Sequence, residues 1–433
     1  MMTEQITENA KAILLLCGRF GGGDDNIAKP LTTKEYDELA AWLRTRNWWP
    51  VDLLEESNLA ELKDPTLLIQ PDRLRVLLGR GAVMALSIEK WINKGLWVLC
   101  RSDEDYPQKL KQNLKRNAPP IIYGVGERML LSKGGLAVVG SRNVDAQGEM
   151  FARDLGRRAA ECGMQLISGA ARGVDETAMH GAFSAGGTVV GVLADSLLAA
   201  AVSSKYREGL REGQLTLLST YNPEAPFSVG SAMGRNKYVY ALADFSVVVS
   251  TDHKKGGTWA GAEEELKDKD HRPLFVRITP ETPPGNAALL KMGAIRFPEE
   301  GLKEDLREVL RRSSASQTAA AQQEEATLFT SGKEDFASSD SARLDSAVRE
   351  STTKYGSKTP ANSASIYDAV KPLILDALRK SLTVDELAEI LRVRKSQLQD
   401  WIKAMIKEGV VKKKTILKKK RLVRVNPDEE LSL

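Results

Sequence analysis

Between residues 136 and 278, short apolar runs alternate with stretches of helical periodicity. LAVVG (136–140), MQLIS (164–168), GTVVGVLA (187–194), QLTLLS (214–219), DFSVVVS (244–250) and PLFVRI (273–278) have the length and composition of buried strands. Helix-compatible sequence separates them, with helices expected over about 146–162 and 175–184. Six β-rich runs alternating with helices predict an α/β domain with a Rossmann-like, mostly parallel sheet and helices on both faces.

Upstream the period is helical. TKEYDELAAWLRTR (33–46) places Tyr36, Leu39, Ala40 and Leu43 at helical spacing, and a helix, a Gly break and a further helix follow from residue 71. Residues 1–118 are therefore expected to form an N-terminal helical, SAM-like region, with Pro119 and Pro120 marking the entry to a core at 119–311. Residues 312–364 are rich in Ser, Ala, Thr and Gln and poor in large apolar side chains. Such a segment buries too little surface to offset its ordering entropy, which predicts a flexible linker. Its ATLF (326–329) is read as a chance apolar cluster ahead of a docking motif. Residues 365–433 look like a compact unit, with helices at 365–379, 382–391 and 396–409, and Thr383 and Glu386 at capping-box spacing. VVKKKTILKKKRLVRV then reads as two strands around a basic tip, completing a C-terminal winged helix.

Charge sharpens this division. The chain of 433 residues carries a net charge of +4, yet residues 361–433 hold 16 Lys+Arg against 10 Asp+Glu. A basic C-terminal unit suggests a polyanionic partner. No run approaches the roughly 18 apolar residues of a membrane span, and the N-terminus carries acids where a signal peptide carries bases; a cytoplasmic protein is expected. Cys17, Cys100 and Cys162 are far apart, odd in number and without CxxC spacing, and the three histidines are scattered. Neither a disulfide framework nor a metal site is expected, and no cofactor.

In an open parallel sheet, ligands bind beyond the carboxyl ends of the strands. The loops there are Gly140-Ser141-Arg142-Asn143, Gly169-Ala170-Ala171-Arg172-Gly173-Val174-Asp175 and Lys254-Lys255-Gly256-Gly257-Thr258, with Gly234-Arg235-Asn236-Lys237 opening a helix before the fifth strand. Each has small residues that let backbone N–H groups approach an anion, a fixed cation, and a helix N-terminus. That combination suits phosphate oxygens. Arginine can bind them bidentately, whereas lysine acts as a point charge. The pattern alone fits a nucleotide as well as a nucleic acid.

AVVGSRN, LISGAARGVDETAMHGAFSAGGTVVGVLADSL and GRNKYVYALADFSVVVSTDHKKGGTWAGAEEE, in this order, resemble the DprA/Smf family of DNA-processing proteins. The upstream DEDYPQKLKQNLKRNAPPIIYGVGE and the trailing winged helix are similar as well. The resemblance implies single-stranded DNA binding by the Rossmann-like core, a homodimer, and delivery of the strand to RecA. It also leaves room for a partner protein in an antiphage defence system. Carried onto this chain, it makes Ser141, Arg142 and Asn143 one strand-binding loop. Ser168, Gly169, Arg172 and Asp175 belong to a second. Arg235 and Asn236, with Lys237, form a pocket, and Gly257 a further loop, to which the phosphate-loop reading above adds Lys254, Lys255 and Thr258. Lys237 stands where the family carries a second arginine, and VRITPETPPG replaces the usual turn after the last strand. Candidate contacts of the wing are Lys412, Lys413, Lys414, Lys418, Lys419, Lys420 and Arg421.

Several residues also have plainer readings. Asp175 is expected to cap its helix and His180 to be a hydrogen-bonded packing residue, ahead of an acid–base dyad between them. Tyr238, Tyr240 and Trp259 are expected in the core ahead of base stacking. Gly256-Gly257-Thr258 followed by Glu263 and Glu264 is similar to the loop of nucleoside-monophosphate hydrolases, which makes such an enzyme one alternative; a nucleotide-sensing regulator is another. The leading expectation is a non-enzymatic binder of single-stranded DNA.

Overall fold

The computed structural model describes residues 6–20, 28–64, 66–268 and 270–316, and parts of 371–424. The described residues divide into a large unit, which runs to residue 316, and a smaller C-terminal unit within 371–424.

The large unit is built on one nine-stranded sheet. Its strands are β1 (Trp97–Cys100), β2 (Ile121–Gly126), β3 (Leu136–Val139), β4 (Leu166–Ser168), β5 (Val189–Val192), β6 (Leu215–Ser219), β7 (Phe245–Val248), β8 (Leu274–Val276) and β9 (Ile295–Arg296). They lie in the order β1-β2-β6-β5-β4-β3-β7-β8-β9. From β6 to β9 all neighbours are parallel, and β2 adds antiparallel to β6 and β1 antiparallel to β2. All six expected strands are present, in a Rossmann-like, mostly parallel sheet.

Alternate residues of each strand enter opposite cores, as the two-residue period requires. Leu136 and Val138 of β3, with Leu166, Val189, Leu217 and Val247, face one side. Ala137 and Val139, with Ile167, Val190, Leu218 and Val248, face the other. Both faces are covered, so these strands read as unbroken apolar runs. The first face carries the helices Ala146–Glu161 and Val174–Ser184, which cross at backbone contact. A Cβ on Gly156 would strike the Ala178 carbonyl, and one on Gly181 the Arg153 carbonyl.

The first core also takes in the N-terminal helices. Ile13, Leu14, Leu39, Leu74 and Trp91 are buried in the same cluster as Tyr123 and Leu217. Trp91 meets Tyr123 edge-to-face at 5.2 Å. The helix Thr33–Thr45 starts with a capping box between Thr32 and Glu35, and Arg73 pairs with that glutamate at 2.5 Å. The division expected between residues 118 and 119 therefore falls inside the sheet: β1 lies upstream of it and pairs with β2 downstream. WVLC and IIYGVG are too short for their pairing to show in sequence. The helix at the end of the core runs on to residue 316, into the segment expected as linker. The rest of that segment, ATLF included, lies outside the described residues.

The C-terminal unit has its own small core of Ile374, Leu378, Leu387, Leu398, Ile402, Met405 and Val411. Thr383 and Glu386 form the expected capping box, with the Thr383 amide donating to Glu386 at 2.8 Å and the Glu386 amide to Thr383 Oγ1 at 3.3 Å. β10 (Val411–Ile416) and β11 (Lys419–Arg424) form an antiparallel hairpin. It carries Lys412, Lys413, Lys414, Lys419, Lys420 and Arg421, while Lys418 lies outside the described residues.

The glycine crossing gives a direct test. Gly156→Ala should destabilise the large unit by about 2–3 kcal/mol, at the upper end of overpacking costs, because the clash is with backbone. Gly163→Ala, at a position with open space but a positive φ of 64°, should cost about 1 kcal/mol through strain alone. Urea denaturation distinguishes them, and equal costs would refute the close-contact account.

Candidate functional site

The chain passes from β3 through β4 and β5 to β6 on one side, then returns across the sheet to place β7 on the other side of β3. The crevice between the carboxyl ends of β3 and β7 is thus the switch point of the topology, where open α/β sheets bind ligands. A cleft of about 330 Å³ lies there.

Beneath it is an internal charge pair. Arg235 and Asp175 are both buried, with Nη1 and Oδ2 3.8 Å apart. Arg235 Nη1 also donates to the Val192 carbonyl at 3.0 Å, while Nε has no hydrogen-bond partner among the described residues. Burial pushes the Asp175 carboxyl up, opposed by Arg235 and by the backbone amides of Ala171, Gly140 and Gly169. The pair therefore draws together the ends of β3, β4 and β5. Gly169 is glycine for the same reason: a Cβ there would sit within the Arg235 guanidinium. Asp175 is not the helix cap, which is Gly173 at φ 88°. A side chain on Gly173 would collide with the carbonyls of Ser141 and Arg142, so the β3 and β4 loops interlock at this point.

The loop after β3 folds on its own side chain, with Ser141 Oγ donating to the Asn143 carbonyl at 3.0 Å and accepting from the Asn143 amide at 3.2 Å. This leaves Arg142 exposed at the mouth, its guanidinium 5.2 Å from the Phe227 ring centroid. On the β7 side, Asn286 is fully buried. It accepts from the Thr251 amide at 2.8 Å and donates to the Val249 and Arg277 carbonyls at 3.0 and 2.8 Å. Thr258 donates to the Gly140 carbonyl at 2.9 Å, and Asn236 Nδ2 to the Gly257 carbonyl at 2.9 Å. The β3 loop, the β7 loop and the helix Asn236–Leu242 are thereby fixed to one another.

The helix Gly256–Lys267 opens into this cleft. Its N-cap, Lys255, makes no side-chain cap, and its first turn holds no acid. By contrast, Asp145 caps the helix Ala146–Glu161. The uncapped first-turn N–H groups, the positive end of the helix and the exposed Lys255 together make a corner of positive charge. The lining contributes two carboxylates, Asp175, which faces Arg235, and the exposed Asp252.

The structure thus brings Ser141, Arg142, Arg235, Asn236, Lys255, Gly257 and Thr258 to one cleft. Asn143 and Arg172 line an adjoining cleft that also includes Arg142, and Arg172 Nη2 donates to Asn143 Oδ1 at 3.3 Å. Gly169 lies in a third, again with Arg142 and Arg235. Other expected residues are placed differently. Ser168 is fully buried and donates to the Val138 carbonyl at 2.7 Å, because β4 continues through it. Arg235 is an interior group and not a surface cation. Lys237 lies over the Tyr238 ring, and Lys254, exposed at φ 55°, is outside the cleft lining. His180 is exposed and reaches Ser184 at 3.4 Å, so it is neither packed in the core nor paired with the buried Asp175. Tyr238, Tyr240 and Trp259 belong to the second core. Glu263 pairs with Lys267, and neither it nor Glu264 lines the cleft.

Sequence reasoning missed Phe227. It is half exposed, faces Arg142, and shares the wall with the exposed Val229 and Met233. Its one signal was an aromatic between Pro226 and Ser228, in irregular sequence shortly before Gly234-Arg235-Asn236.

Comparison with known proteins gives a consistent picture. Residues 97–303 match the family model described as DNA recombination-mediator protein A. A Bacillus subtilis protein named DNA processing protein DprA is 25% identical over 243 residues, covering 54% of this chain and 79% of its own. A Mycobacterium tuberculosis protein named putative DNA processing protein DprA is 30% identical over 183 residues, covering 41% and 46%. Among solved structures, DNA processing protein A from Streptococcus pneumoniae superposes with a TM-score of 0.52 at 19% identity, over 67% of this chain and 94% of that one.

The charge pair predicts a specific non-additivity. Arg235→Ala should cost about 3–5 kcal/mol by leaving Asp175 buried and unpaired. Gly169→Ala should cost a similar amount by expelling the guanidinium. Since both remove one interaction, the double variant should be little worse than Arg235→Ala alone. Additive losses in denaturant unfolding would refute the shared cause.

Proposed function

The chain belongs to the DprA/Smf family of DNA-processing proteins, and from that premise we propose that it holds single-stranded DNA by its backbone in the cleft between β3 and β7. The observation that carries the reading is the composition of the cleft mouth. Arg142 and Lys255 flank an uncapped helix N-terminus, and Arg142 lies over an exposed aromatic ring. Cations and amides take the phosphates, while Phe227 offers a face on which a base can stack, an interaction open to every base. Such a surface binds strands with little sequence preference. A duplex keeps its bases stacked on one another and leaves Phe227 unused.

Binding is the whole role in this reading. Asp175 is engaged by Arg235 and by backbone, and it holds the site together without acting as an acid or base. The protein acts in the cytoplasm, as a homodimer, and hands its strand to RecA or to a defence-system partner. Co-elution of the strand-loaded protein with purified RecA tests that extension: a ternary complex is expected, and none would retire RecA as the recipient.

Fluorescence anisotropy with labelled oligo-dT and a matched duplex, across a salt series, tests the central reading. The wild-type protein should prefer the single strand and weaken steeply with salt. Arg142→Glu should lower affinity at least tenfold at low salt while leaving stability within about 0.5 kcal/mol, because the side chain is exposed. Phe227→Ala should cost about 1–3 kcal/mol of strand binding with little change in salt slope. Undiminished binding by both folded variants would sink the proposal.

A further inference from the structure

A second basic cleft, of about 450 Å³, lies away from the switch point, between the N-terminal helices and the polypeptide that follows β1. It is lined by Arg44, Arg101, Lys111, Lys115, Arg116 and Asp37. Five cations thus meet one carboxylate. Asp37 is shared by Arg101 at 3.3 Å and Arg116 at 3.7 Å, so it offsets at most one of them. Lys115 has an outside partner in Asp270 at 2.7 Å, where both side chains are exposed. Among the described residues, neither Arg44 nor Lys111 lies within ion-pair distance of a carboxylate. Arg101 Nη1 is buried and has no hydrogen-bond partner among the described residues. Burial, and then the neighbouring Arg101, push the Lys111 ammonium down, with Asp103 acting in the opposite direction. Crowded cations of this kind repel one another unless an anion lies among them.

The topology relates this cleft to the first. β1 is antiparallel to β2, and β2 to β6, so β1 runs in the same direction as the parallel strands. Arg101, which follows β1, therefore leaves the sheet at the same carboxyl edge as Arg142, which follows β3. The order β1-β2-β6-β5-β4-β3 separates them by five strand spacings. That is roughly 24 Å at about 4.8 Å each. Stacked bases advance about 3.4 Å per nucleotide, so a short strand fills one cleft and a longer one can run along the edge to the other.

We propose that the cleft of Arg44, Arg101, Lys111, Lys115 and Arg116 is a second phosphate-binding site that takes the backbone of a strand already held at the switch point. The inference rests on the single-strand reading above and assigns the N-terminal helices a part in binding.

The test compares the shortest oligo-dT that saturates the full-length protein with one several times longer. The variant is Arg44→Ala/Lys111→Ala, which spares the part-buried Arg101, and its fold is checked by thermal melting. The long strand should bind the variant about tenfold more weakly, and its log–log salt slope should fall by about 0.7 for each phosphate that is no longer neutralised. The short strand should bind as it does to wild type. If the folded variant keeps full affinity for the long strand, or loses affinity equally for both lengths, the second site is overturned while single-strand binding stands. If wild type binds neither strand, the underlying reading fails and takes this inference with it. Should the double variant melt early, Lys115→Ala/Arg116→Ala, at two exposed positions, provides the same comparison.

Discussion

The site depends on one buried ion pair. Asp175 and Arg235 lie under the switch point, and two loops and a strand end are arranged around them. Removing two charges from water costs several kcal/mol per ion, so such a pair is a poor source of net stability. It is better understood as a positional device. The carboxylate sits among the amides of Gly140, Gly169 and Ala171, the guanidinium reaches the Val192 carbonyl, and Gly169 has no side chain because the guanidinium occupies its place. Each loop is located by a hydrogen-bonding group and not by apolar packing alone, which would let a loop slide.

This arrangement separates two uses of charge. The interior cation is fixed, desolvated and engaged, and it shapes the floor of the cleft. Arg142 and Lys255 at the mouth are exposed and available to a ligand. Solvent and salt screen the outer group strongly and the inner pair little. Ionic strength therefore acts on the charges at the cleft mouth while the geometry of the floor stays constant. The helix Gly256–Lys267 contributes in the same way, since its uncapped amides are held in place by the hydrogen bonds of Thr258 and Gly257.

Much of this was legible in the sequence. The six parallel strands are short apolar runs bounded by turn residues, and a strand buried on both faces has no other way to be written. The helices Ala146–Glu161 and Val174–Ser184 match the expected spans to within about a residue or two, because each follows a Gly-rich loop and carries a clear period. The loops that meet at the cleft could be located because they follow the carboxyl ends of strands. What the sequence concealed was depth. Arg235 looks like any surface arginine until the fold places it beneath Gly169, and Ser168 looks like a loop residue until β4 is seen to include it. Phe227 lies in irregular chain where no periodicity applies. The second basic cleft draws on residues 37 and 44, 101, and 111–116, which no motif unites.

The route of the chain through the sheet has a consequence for how the protein is made. β3 acquires its neighbour β4 after about one helical connection, but its other neighbour, β7, is more than a hundred residues further on, with Leu136 facing Leu166 on one side and Phe245 on the other. During synthesis the first four parallel strands can assemble while one edge of β3 stays unpaired. Open strand edges of this kind invite association between incomplete chains. The crevice closes only when β7 docks, because the two loops that face each other across it come from opposite ends of this long excursion. A nascent or truncated core would thus lack the cleft altogether and display an adhesive edge in its place, so that a formed cleft marks a core whose folding is finished.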